Sequence, residues 1–165
     1  MRRAGQIAPA DTGIMTMSVT GLGPWYEVWA VSVPIIVTLL VLHIGGLVVI
    51  YGRFIRVFGT FTTRRLVAAR FIAGSLILTA ITALHAMEAA VWAAAYTMVG
   101  AIQQGRYAML YSLGAITSYG HEVIFLERHW QMMGALEALN GMILFGLTTA
   151  FLFAMVQSGG LVRRD

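Results

Sequence analysis

The residues with the most chemistry to offer lie in one short tract, "TSYGHE": Thr117, Ser118, Tyr119, Gly120, His121 and Glu122. Hydroxyls, backbone carbonyls at a Tyr-Gly pair, an imidazole and a carboxylate in succession are groups that coordinate a passing cation. Four such groups around an axis make the rings from which selectivity filters are built. A second set sits within apolar sequence. His85 and Glu88 are three residues apart, as are Glu137 and Asn140, so each pair shares a helix face. His85 and Glu88 read as a polar brace reaching toward Arg106 or Tyr111, as a locally satisfied polar pair, or as a metal-ligand pair. His43 stands alone in an apolar run and reads as a hydrogen-bonded packing residue.

The chain that must position these groups has 165 residues, is 59% hydrophobic and only 11% charged, and has a mean hydropathy of +0.79. That composition points to an all-α integral membrane protein. Cysteine is absent, which excludes disulfides and thiolate chemistry. No HExxH, GxSxG or phosphate-loop pattern occurs, so no enzyme and no catalytic residue is expected.

Crossing a hydrocarbon core of about 30 Å takes roughly 20 helical residues. Three segments qualify: 29–51, 71–96 and 132–156. The tail 1–28 is glycine-containing and ends at the interfacial aromatics Trp25 and Tyr26. The segment 52–70 carries Arg53, Arg56, Arg64, Arg65 and Arg70, the densest basic patch, and is expected to be a cytoplasmic loop. The N-terminus then lies outside, and the tail 157–165 lies inside, as in a bacterial plasma membrane. Loop arginines near anionic lipid contribute about 1 kcal/mol each; a net charge of +4 needs no nucleic acid.

Between the second and third spans, "RYAMLYSLGAI" (106–116) predicts a helix of about three turns, and "TSYGHE" has neither helical nor strand period. Either the pair forms a re-entrant pore loop, or it is an external loop with an interfacial helix. Glu127, Arg128 and His129 precede the last span, where an acid complements the helix dipole. Gly141 interrupts that span, as a hinge or as a close-packing point. Thr148, Thr149, Phe151 and Phe153 follow; one face of them lines a vestibule or packs in core and lipid.

Over residues 67–156 the chain resembles the two-transmembrane pore module of the potassium-channel superfamily, with an extra N-terminal helix. The likeness is strongest in "WQMMGALEALNGMILFGLTTAFLFAMV", matching the inner helix, and in "YAMLYSLGAI", matching the pore helix. Aligned without gaps, Thr117 to Glu122 stand on the filter, with His121 and Glu122 in place of its tyrosine and second glycine. A register with a two-residue deletion after Ser112 instead places Tyr119-Gly120 on the last filter positions. The ungapped register keeps Ser112 on the pore-helix serine, and the likeness at "ALEALNG" implies that Glu137 and Asn140 pack as a polar brace behind the filter. The resemblance implies a homotetramer in membrane lipid that conducts K⁺ or Na⁺, with no cofactor and no resident metal. Two rival roles stand beside it: a non-conducting assembly partner or sensor of the same fold, and a membrane metal-binding protein using His121, Glu122 and His129.

Overall fold

The computed structural model describes residues 25–58, 66–120 and 124–157, and all its regular elements are helices. They are α1 (Trp25–Phe58), α2 (Leu66–Met98), α3 (Gly105–Ile116), a 3-10 turn (Arg128–Trp130) and α4 (Gln131–Gln157). Three segments are long and apolar enough to cross a membrane: Trp25–Arg56, Phe71–Met98 and Arg128–Gln157. The expected spans fall inside these helices.

The helices overrun the expected boundaries. α1 begins inside the expected 1–28 tail and continues through Arg53 and Arg56, and α2 begins at Leu66. Hydropathy marks only the lipid-embedded part of a helix. The 34 residues of α1 extend for about 50 Å at 1.5 Å per residue, past a hydrocarbon core of about 30 Å. Much of the expected 52–70 loop is therefore helix. Arg64 and Arg65 lie outside the described residues.

Each long helix turns one narrow stripe inward. On α1 it is Val28, Ser32, Leu39, His43, Leu47 and Phe54, at the four- and seven-residue intervals of a helical face. On α2, Ala73, Ile77 and Ile81 pass into Glu88, Trp92 and Tyr96. On α4 the stripe includes Met133, Glu137, Asn140, Leu144, Thr148 and Met155. The opposite faces expose Val41, Val48, Phe71, Leu78 and Phe153, as lipid contact requires. Pro34 is accommodated inside α1 without ending it.

Just beyond the end of α2 at Met98, Gly100 has a φ of +75° that lets the chain reverse. The amide of Val99 donates to Ala95 O and that of Ile102 to Tyr96 O, closing the helix end. The short connection that follows sends α3 back along α2. Consequently Ser112 of α3 lies beside Ala89, nine residues or ~14 Å of helix before the end of α2 at Met98. The far end of α3 rests on α4 at Gly141, ten residues or ~15 Å beyond the start of that helix. α3 is thus wedged between the two longer helices, well inside their length.

Candidate functional site

Two clusters of buried polar side chains lie between the helices. The first holds α3 in place. Glu137, fully buried on α4, accepts a hydrogen bond from Tyr96 of α2 at 2.6 Å and another, short, from Ser112 of α3. The Ser112 hydroxyl is also 2.7 Å from Ala89 O. Three helices therefore meet at one carboxyl group. Around it the packing is close: Tyr96 and Tyr111 meet edge to face with centroids 5.1 Å apart. A Cβ on Gly141 would collide with the carbonyl of Ile116, and one on Gly134 with the Tyr111 hydroxyl. Gly141 thus has a packing requirement independent of any hinge, and α4 runs unbroken through it. Asn140 is buried alongside, with no hydrogen bond to either side-chain atom among the described residues.

The second cluster joins α1, α2 and α4. Glu88 Oε1 lies 2.7 Å from His43 Nδ1, and Glu88 Oε2 lies 3.1 Å from His85 Nδ1. The second contact is within ion-pair range, yet both atoms lack a well-formed hydrogen bond. Thr148 Oγ1 sits on the far side, 3.1 Å from His43 Nε2 and 3.2 Å from His85 Nε2. The four side chains form a closed circuit. Phe145 stacks on the His85 ring at 4.3 Å.

The expected brace therefore divides in two. Glu137 does bond the helix that precedes "TSYGHE", through Ser112. His85 and Glu88 turn instead to His43 and Thr148. His43 is hydrogen-bonded, as expected of it, but its partner is a buried carboxylate and not packing alone. No local signal announced this: its partners lie 45 and 105 residues away.

The tract after α3 leaves the helix through a capped turn. Ser118 has φ +55° and Gly120 φ +90°, so left-handed backbone alternates across Tyr119. The amides of Ser118 and Gly120 donate to Ala115 O and Gly114 O, and Thr117 Oγ1 donates to Leu113 O at 2.5 Å. Residues Thr117 to Gly120 are all exposed, Tyr119 by 84%. His121 and Glu122 lie outside the described residues. His129 pairs with Glu27 of α1 at 3.3 Å, tying the 3-10 turn to the start of the first helix.

No family model, curated protein or solved structure matches the chain.

Proposed function

We propose that four copies of this chain surround a membrane pore of potassium-channel type, that α3 is its pore helix, and that residues 117–122 line its narrowest part. The observation that carries the reading is the depth of α3. Its C-terminal end lies beside Ala89 and Gly141, both inside candidate spans, and is followed by exposed, non-helical backbone at Tyr119 and Gly120. Irregular backbone at membrane depth is stable only when protein buries it or water bathes it. Other copies around an axis supply both conditions, and one pore loop per chain makes four the natural count.

The alternation at Ser118 and Gly120 supports a tract whose carbonyls turn toward an axis. His121 and Glu122 would add imidazole and carboxylate rings at the outer mouth, favouring a cation pore that prefers K⁺ weakly or not at all. Carboxylates about 7 Å apart around such a pore repel by about 2–3 kcal/mol per pair at an effective dielectric near 20, which a passing cation relieves. The arginines on and after α1 support a cytoplasmic location for that end, with α3 entering from outside.

The same fold without conduction is the second reading. It is favoured by the hydrogen bonds that fold Ser118 and Gly120 back onto α3 in place of an extended tract. Flux into vesicles containing the purified protein separates the two. Conduction predicts uptake of K⁺ or Na⁺, with an ion preference altered by Glu122→Gln and His121→Ala. A folded, reconstituted protein that passes neither ion contradicts it.

A further inference from the structure

Among the described residues no hydrogen bond or ion pair joins the circuit of His43, Glu88, His85 and Thr148 to α3. We propose that His43, His85 and Glu88 bind a divalent transition-metal ion of the zinc class inside each chain, fastening α1 to α2. The site needs no neighbouring subunit.

One donor atom from each of the three residues lies within 4.8 Å of the others. Metal–nitrogen and metal–oxygen bonds of about 2.0–2.1 Å in a tetrahedron set the donors about 3.3 Å apart. The observed 2.7 and 3.1 Å run from the two Nδ1 atoms to different oxygens of Glu88, so these pairs must open by about 0.6 and 0.2 Å, with the carboxylate presenting both oxygens or turning one toward the ion.

Thr148 allows one arrangement of the rings that suits an ion, and binding of the ion would select it over the tautomer in which His43 Nδ1–H donates to Glu88. With the N–H of both imidazoles on Nε2, the Thr148 hydroxyl oxygen accepts both, at 3.1 and 3.2 Å. Both Nδ1 lone pairs are then left converging on the Glu88 carboxylate. Two bare nitrogens and an anion meeting in an apolar interior repel unless a cation lies among them. An outer N–H held by a fixed oxygen, with the inner nitrogen free, is how ligating histidines are positioned. The poorly bonded His85 Nδ1 and Glu88 Oε2 are the atoms that such an ion would satisfy. No arginine pairs with Glu88 among the described residues. Two imidazoles and one carboxylate suit Zn²⁺ or Co²⁺, and not Mg²⁺ or Ca²⁺, which require oxygen donors. His85 is the way in, its side chain being 13% exposed where Glu88 and His43 are fully buried.

The test is Co²⁺ titration of the purified full chain after treatment with chelator. One Co²⁺ per chain is expected, with the visible ligand-field bands of a low-coordinate site, displaced by Zn²⁺, and Zn²⁺ raises the thermal midpoint. Glu88→Gln and His43→Gln abolish uptake, whereas His129→Ala leaves it intact. Thr148→Val keeps every ligand but loses the oxygen that orients them, and affinity falls about 10- to 100-fold. That graded loss carries the test if the ligand variants fail to fold. A folded wild type that takes up no Co²⁺ overturns the proposal, since a shared proton then closes the circuit. Uptake that survives Glu88→Gln and His43→Gln, or is unchanged in Thr148→Val, overturns it equally.

Discussion

The two buried carboxylates face opposite situations. Glu137 receives hydrogen bonds from Tyr96 and Ser112, both of them donors, so each of its two oxygens has a partner. Glu88 faces two imidazoles, either of which can present a bare nitrogen, and one of its oxygens is poorly bonded. The first cluster seats a short helix between two long ones; the second gathers two imidazoles on one carboxylate. A carboxylate within a membrane span is expensive wherever it occurs, and the difference lies in what surrounds it. Hydroxyl donors make a structural clamp. Imidazoles around a carboxylate make the candidate metal site proposed above.

Substitutions at the clamp sharpen this contrast, and the largest effect is expected from Glu137→Ala. It strands the Tyr96 and Ser112 hydroxyls and opens a cavity beside α3, lowering stability by about 2–4 kcal/mol. Thermal unfolding in detergent, followed by circular dichroism, measures it. Glu137→Gln keeps an acceptor and should lose less; equal losses would show that packing and not the clamp matters.

Gly141→Ala comes next, at about 1–3 kcal/mol, because the added carbon meets the Ile116 backbone carbonyl, which cannot swing aside. If Gly141 is only a hinge, the same change should stiffen α4 with little loss of stability. Tyr96→Phe removes one hydrogen bond to Glu137 and should lower stability by about 0.6–1.7 kcal/mol, the range found for bonds between membrane helices. Gly146→Ala is the control: no atom lies within 4 Å of the added carbon, so stability should hold or rise by up to about 1 kcal/mol from better helix propensity.

Much of this architecture was legible in the sequence, for identifiable reasons. Apolar runs of span length announce themselves, and α3 matches the expected 106–116 to within one residue because Gly100 and Gly105 before it and Thr117 after it punctuate the run. Helix ends beyond the membrane were not legible. Arg53 and Arg56 signal an interface, but nothing there stops α1, and hydropathy cannot distinguish a solvated helix from a loop. The face of each span was hidden for a different reason. Leu39, His43 and Leu47 share the inward stripe, but exposed Val41, Leu42, Ile44 and Val48 are equally apolar, so no amphipathic phase marks it. His85 and Glu88 disclosed a pair; only the packing of α1 and α4 against them disclosed His43 and Thr148 as partners.

The pore reading rests on copies of the chain meeting around residues 117–122, and an experimental map of the purified assembly in lipid tests that directly. The account predicts a four-fold particle, with Thr117 to Gly120 from each chain around the central axis and ion density between them. A monomer, or an assembly with Tyr119 on its outer surface away from the symmetry axis, would contradict it.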